Sequence, residues 1–292
     1  MFIKLLALAL LAQAQASIFN DKYVDVQRFM RQLAVMHSDV VELVTVGSSD
    51  SGQVIEGLKI GSGPVAHLVV ATHHGNEYGA TEVAKALAES LAAAPLPGLT
   101  VYVVPVLNIY GYDLRKRNED TPNSVLDPNR DYPGPCGTEG PFLLKSTGAL
   151  ARFLAERNIV AAATLHTFHP AVVYPWGFGT KDFDPPNLDV FLQLVRAATV
   201  ESKYPIGNST DVIYPARGTF EDYAFSRFGI WALLFELGHT HKPYENEVAD
   251  LIHDNIPGLR RLLGIAPKTR ALSHSFTGKC DSLAFLFDRH EE

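Results

Sequence analysis

"AHLVVATHHGNEYGATEVAKALAESLAAA", residues 66–94, reads as a buried strand, a tight turn and a helix in immediate succession. The run "AHLVVATHH" is a continuous apolar stretch rich in valine, the pattern of a strand covered on both faces rather than one. "GATEVAKALAESLAAA" follows with helix-forming residues and stops before Pro95 and Pro97. A second apolar run, "TVYVVPVLN", begins at Thr100. Strand, helix, strand predicts a crossover unit. The expected fold is therefore a single α/β domain: a mixed, mostly parallel twisted sheet with helices on both faces.

Upstream, the spacing of Val24, Phe29, Leu33, Met36, Val40, Val41 and Val44 predicts one helix from Val24 to Leu43. "GSSDSGQVIEGLKIGSG" then reads as a turn-rich hairpin. Downstream, residues 108–145 form a long irregular stretch, and ordered loops of that length usually carry function. A helix at "STGALARFLAERN", a buried strand at "IVAAATLHT", and helices around 187–202 and 219–227 come next. A fourth strand, "GIWALLFELG", and a closing helix, "NEVADLIHDNIPGLRRLLGI", complete the expected core.

The chain has 292 residues, 47% of them hydrophobic and 20% charged, enough for one large core. Its net charge of -7 offers no basic surface to a nucleic acid or an anionic membrane and mildly favours cationic substrates. "MFIKLLALALLAQAQA", residues 1–16, has a lysine, a short apolar run and a small-residue cleavage pattern. It reads as a signal peptide, its apolar run being about half the ~20 residues of a spanning helix. The expectation is an exported protein, secreted or periplasmic, with one mature domain from residue 17 to 292. Cys136 and Cys280 permit one disulfide or stand as two buried thiols; the sequence fixes no distance between them.

Chemistry-bearing residues recur at strand ends: His74 and Glu77 after the first central strand, His166 after the third, Glu236 after the fourth. Ligands of open α/β sheets bind beyond the carboxyl ends of strands. Two imidazoles and a carboxylate are a catalytic zinc set with a position left open, and Glu236 would remain as an unligated acid able to take a proton from water. His73, one residue from His74, should point elsewhere. His169, His239 and His241 read as structural.

At this point the chain resembles the zinc metallocarboxypeptidases of the pancreatic carboxypeptidase A fold, from about residue 22 to 264. "HGNE" is similar to that family's first metal motif, and "NIYGYDLRKRNEDTPNSVLDPNRDYP" to its Asn-Pro-Asp-Gly-Tyr segment followed by Asp-Leu-Asn-Arg. "LHTFHPAVVYPWGFG" is similar to its third-ligand strand, and "IYPARGTFEDYAFSRFGIWALLFELG" to the stretch with its mobile tyrosine and general-base glutamate. The resemblance implies one zinc ion held by His74, Glu77 and His166, with Glu236 as the base. It implies that Asn129 and Arg130 grip a peptide's free terminal carboxylate while Tyr214 closes over it. Either Arg115 or Arg117 would polarise the scissile carbonyl. Glu221 aligns with the base of the side-chain pocket, where an acid favours C-terminal lysine, arginine or a diaminopimelate-type residue; otherwise it flanks its helix while Asp222 holds a neighbouring backbone. Asn108-Ile109-Tyr110, Pro128 and Thr167-Phe168 depart from the family pattern, and none removes a ligand.

No pro-segment is expected ahead of the domain, nor an added β-sandwich after residue 264. The expected protein is a monomer acting on peptides, with neither nucleic acid nor membrane as partner. A zinc deacylase of N-acyl amino acids, of the aspartoacylase and succinylglutamate desuccinylase branch, shares "HGNE" and is the alternative enzyme. A non-catalytic peptide-binding protein is the third, and the retained Glu236 counts against it.

Overall fold

A computed structural model describes residues 20–137, 142–179 and 183–280. The expected signal peptide at residues 1–16 and the last twelve residues lie outside the described residues. Along the chain come α1 (Tyr23–Met36), β1 (Val41–Ser48), β2 (Val54–Ile60), β3 (Val65–Ala71), α2 (Tyr78–Ala93), β4 (Leu99–Val104) and α3 (Ile109–Leu114). A small ribbon of β5 (Glu119–Asp120) and β6 (Val125–Leu126) precedes a 3-10 turn at Pro128–Arg130. Then follow α4 (Lys145–Glu156), β7 (Ile159–His166), β8 (Ala171–Tyr174), α5 (Leu188–Ala198), β9 (Ile206–Asn208), α6 (Ser209–Val212), α7 (Phe220–Phe228), β10 (Trp231–Glu236) and α8 (Glu245–Ile265).

Eight strands make one mixed sheet in the order β1-β2-β4-β3-β7-β10-β8-β9. Its centre is parallel: β4 pairs with β3, β3 with β7 and β7 with β10. Every residue of β4 and of β7 is buried, which is why neither sequence alternates. Each such side chain withdrawn from water contributes about 1.5–3 kcal/mol where it is a full-sized aliphatic. Helices α2, α5 and α8 pack together as one layer, α1 and α4 lie against β1, and α7 lies against β10.

Because β3, β7 and β10 are parallel neighbours, their carboxyl ends share one edge, and the register sets Glu236 directly beside His166. Loops leaving that edge are stitched to one another. The amide of Leu237 donates to the His166 carbonyl and that of His169 to the Gly238 carbonyl. Asn108 N donates to the Thr72 carbonyl in the same way. Gly75 is required here by close approach: a Cβ on it would stand 1.9 Å from the backbone carbon of Gly111.

The N-terminal reading needs correction. The helix ends at Met36, and Val41 and Val44 belong to β1, paired with Ile60 and Gly57. Its buried face is Tyr23, Val26, Met30 and Leu33, whereas Val24 and Met36 are 54% and 69% exposed. Alternating "VELVTV" is a strand period, which a list of apolar positions spaced three to five apart overlooks. Strands β8 and β9, short and set near the sheet's far edge, were also not expected; they fall where the sequence offers only "AVVY" and "IGN".

After α8 the chain returns across the molecule as a strap. The Arg270 guanidinium donates to the Leu154 and Ile159 carbonyls, Ala271 N to Gly229 O, and Thr277 Oγ1 to Asp184 O. Phe276 lies edge-on to Trp176. Cys280 closes the strap with a disulfide to Cys136, Cα to Cα 5.6 Å, so the bridge that the sequence left open is formed. Among the described residues no helix is long and apolar enough to cross a membrane.

Candidate active site

His74 and Glu77 stand in the turn between β3 and α2, three residues apart, with the Glu77 amide bonded to the His74 carbonyl. That turn puts His74 Nδ1 2.8 Å from Glu77 Oε1. His166 arrives on β7, with its Nδ1 3.2 Å from His74 Nδ1 and 3.0 Å from Glu77 Oε2. All three side chains are buried, and their ligand atoms lie within 4.8 Å of one another. No other group of this kind occurs among the described residues.

Donor chemistry tests whether a cation fits. His74 Nε2 faces the Asp127 carboxylate at 2.9 Å, so it is the nitrogen that carries a proton. In the neutral ring this leaves a lone pair on Nδ1, aimed at two further lone pairs, those of His166 and Glu77. Three acceptors converging in a buried space call for a positive charge between them. Burial disfavours charge on His74, but the Glu77 and Asp127 carboxylates outweigh it and raise its pKa. Burial would likewise raise Glu77, yet the His74 and His166 imidazoles hold it well below the carboxylate range. The two-imidazole, one-carboxylate set fits zinc.

Asp127 was passed over in the sequence, although it heads the four-residue motif containing Asn129 and Arg130. It caps the 3-10 turn by accepting from Asn129 N, orients His74, and accepts from Arg117 Nη2 at 2.9 Å. Burial would push its carboxyl up, and the bond from His74 together with the nearby cations drives it far down instead. A carboxylate placed before proline at an N-cap was the available signal.

Position separates the two arginines. Arg117 lines the cleft, with Nη1 3.7 Å from Glu77 Oε1. Arg115 does not line it: the guanidinium donates to the carbonyls of Asp21 and Tyr112 and lies over the rings of Tyr78 and Tyr112. Sequence proximity placed both in one run; the left-handed backbone at Arg115 turns their side chains apart.

Glu236, at the end of β10, also lines the cleft, and its Oε2 is buried without a hydrogen-bond partner. Burial, reinforced by the neighbouring Glu77 carboxylate, raises its pKa well above the usual range. His73 stays out of the cluster. It is fully buried, its Nε2 is 2.9 Å from the Tyr132 hydroxyl, and its ring stacks on His166 at 5.4 Å.

Two connected hollows meet at these groups. An outer cleft of about 290 Å³ is lined by Arg117, Phe168, His169, Tyr214, Glu236 and His241, among others. An inner pocket of about 30 Å³ is lined by Asn129, Arg130, Tyr214, Thr219, Glu221 and Glu236. Arg130 donates to the Asn129 carbonyl and, at 3.3 Å, to the Tyr214 hydroxyl; Asn129 Oδ1 accepts from Phe220 N. Tyr214 is half exposed, on the loop before α7. Glu221 is buried, with its carboxylate accepting from the Thr164 hydroxyl, and burial raises its pKa. Asp222 does hold a neighbouring backbone, accepting from Gly177 N.

The chain as a whole is similar to known proteins. The family model described as zinc carboxypeptidase matches residues 26–257. Carboxypeptidase B of Homo sapiens is 25% identical over 266 residues, covering 75% of this chain and 63% of the human protein, so the match spans less than two thirds of that relative. Carboxypeptidase B of Astacus astacus is 27% identical over 263 residues, covering 75% of this chain and 86% of its own. In fold, the chain is similar to bovine thrombin-activatable fibrinolysis inhibitor, solved in complex with tick carboxypeptidase inhibitor: TM-score 0.76, 17% identity, 83% of this chain and 96% of that one.

Proposed function

The chain belongs to the zinc carboxypeptidase family, and from that premise we propose that it is an exported, monomeric, zinc-dependent carboxypeptidase acting on peptides with a free C-terminal carboxylate. One observation carries the reading. The His74, Glu77 and His166 cluster lies beside an unpartnered carboxylate, Glu236, at the mouth of a pocket lined by Arg130 and Glu221.

Zinc bound by those three residues supplies a Lewis acid that acidifies water and polarises a carbonyl. Arg130 and Asn129 receive the terminal carboxylate, the guanidinium as a two-pronged donor. Tyr214, exposed and already touching Arg130, closes over that end. Glu236 takes a proton from the attacking water and returns it to the leaving amine. Arg117 donates to the oxygen on which negative charge develops, in a site whose burial strengthens the interaction. Asp127 holds Arg117 and His74 in register.

Glu221 sets the preference for the residue removed. A buried carboxylate in a small pocket calls for a cation, so lysine, arginine or a diaminopimelate-type residue is the expected terminus. Export rests on the leader at residues 1–16 and agrees with a formed disulfide, which persists in oxidising surroundings.

Matched peptides with a free or an amidated C-terminus test the proposal. Cleavage of the free form alone, lost on chelation and regained with zinc, is expected. Equal cleavage of both forms removes the exopeptidase reading, and turnover of N-acyl amino acids in place of peptides replaces it with the deacylase.

A further inference from the structure

The two hollows divide the lining residues unequally. His74, Ile213, Tyr214 and Glu236 line both, Arg130 and Glu221 only the inner pocket, and Phe168, His169 and His241 only the outer cleft. If the terminal residue occupies the inner pocket, as the carboxypeptidase reading requires, the residue before it lies against this second set.

The composition of that wall departs from the rest of the chain. The protein as a whole carries a net charge of -7, yet the residues that line the outer cleft alone include Arg117, His169 from "HTFHP" (166–170) and His241 from "LGHTHKPY" (237–244), with Glu77 of the metal cluster as their one acid. The wall is also rigid: the two segments are joined through His169 N to Gly238 O and Leu237 N to His166 O. His241 Nδ1 lies 3.4 Å from Thr167 Oγ1, and its ring stands edge-on to Phe168, centroids 4.7 Å apart at 86°. His169 is held at φ 100°, a strained backbone for a residue with a side chain. Such strain persists only where surrounding structure enforces it, and it concentrates at ligand clamps. Phe168 remains 46% exposed at the rim.

Neither imidazole belongs to the metal cluster. His241 Nδ1 is 3.9 Å from Glu77 Oε1, beyond a hydrogen bond. Imidazole N–H groups donate in either protonation state. Together with the Arg117 guanidinium, they present N–H donors to whatever side chain lies there.

We infer that this wall is a subsite for the penultimate residue of the substrate and that His241 and His169 select one bearing a carboxylate. The inference rests on the carboxypeptidase reading for its direction, since that reading puts the terminal residue on the opposite side of the metal cluster. Glutamate against glutamine isolates the recognised feature, because the two differ by charge and hardly in shape.

The test uses two peptides of identical length and C-terminal residue, with Glu or Gln in the penultimate place. Affinities are measured by calorimetry on the zinc-loaded Glu236→Gln protein, and turnover on the wild type. A preference of about tenfold for Glu is expected, one order of magnitude being roughly 1.4 kcal/mol. His241→Ala and His169→Ala should each shrink the Glu-to-Gln ratio towards one. His169→Ala guards against a merely structural reading of His241, because no hydrogen bond or ring contact links the His169 side chain to the metal cluster. Equal affinity for the two peptides, or a ratio untouched by both variants, overturns the inference. A Glu preference in binding with no turnover of either peptide upholds the subsite and counts against the enzyme.

Discussion

Asp127 Oδ1 stands 2.9 Å from Nε2 of His74, while its other oxygen holds Arg117. One carboxylate therefore fixes the tautomer of a proposed metal ligand and the place of the proposed oxyanion donor. Such partners of metal-bound histidines cost 10–100-fold in metal affinity when removed. Asp127→Ala should weaken zinc binding by about that factor, measured by competition with a chromogenic chelator. It should also reduce kcat/KM beyond the loss in zinc occupancy, because Arg117 is released. Unchanged zinc affinity would mean that Asp127 is only a cap for its turn.

Glu236→Gln keeps the shape of the side chain and removes its basicity. Turnover should fall by at least about 10²-fold, in line with the contribution of general acid–base catalysis. Metal content should remain at one zinc per chain by elemental analysis, and the free-to-amidated discrimination in binding should persist. Activity close to that of the parent would assign proton transfer to another group.

In the proposed function, Glu221 selects the terminal residue that enters the inner pocket. Glu221→Leu should lower kcat/KM for C-terminal Lys by about 10²-fold or more, since breaking a buried ion pair costs roughly 3–5 kcal/mol. It should raise that for C-terminal Leu or Phe. A parent enzyme that already prefers Phe would show that Glu221 is spent on Thr164 alone.

Two buried groups give stability opposite slopes with pH. His67, inside β3 with neither ring nitrogen hydrogen-bonded, is pushed down to about 4 by burial. Its unfolded pKa is near 6.5, so its contribution is present above that value and is lost as pH falls towards 4. Glu119 is pushed up to about 7, by burial first, and its unfolded value is 4.5. Its contribution is full below 4.5 and is lost as pH rises through 7. Each is worth up to about 3 kcal/mol by linkage. Thermal melts from pH 4 to 8 should show His67→Leu flattening the acid limb and Glu119→Gln flattening the neutral limb.

Reduction or Cys280→Ser frees the strap from the loop at Cys136. The bridge joins residues 144 apart, and chain entropy alone assigns a ring of that size about 5 kcal/mol of stability. A drop in Tm of many degrees is expected. KM should rise more than kcat falls, because Tyr132, four residues before Cys136, hands its amide to Gly218 next to the inner pocket. A Tm shared by reduced and oxidised protein would refute the effect.

Strand ends were the most legible part of this sequence. The solid apolar runs of β3, β4, β7 and β10 announce strands buried on both faces, and a parallel sheet leaves His74, His166 and Glu236 little choice of edge. Arg115 and Arg117 were inseparable because a single left-handed residue decides which enters the cleft, and no sequence period reports it. β8 and β9 were missed since four and three residues carry too little pattern to outweigh their surroundings. Asp127 escaped because its role is relational: it matters through the two side chains that it touches. The hairpin after α1 was blurred by coincidence of spacing, valines three and four apart serving a helix as readily as a strand.

Because the half-cystines are so far apart along the backbone, the closed loop encloses α4 through α8, half the sheet and Tyr214 with its neighbours. Biosynthesis therefore delivers the last fastener only when position 280 emerges. A nascent polypeptide halted earlier would carry every proposed ligand and the acid beside them, yet lack the tie that draws the substrate-facing loops together. That tie is thus the last of these features to form, and it needs an oxidant.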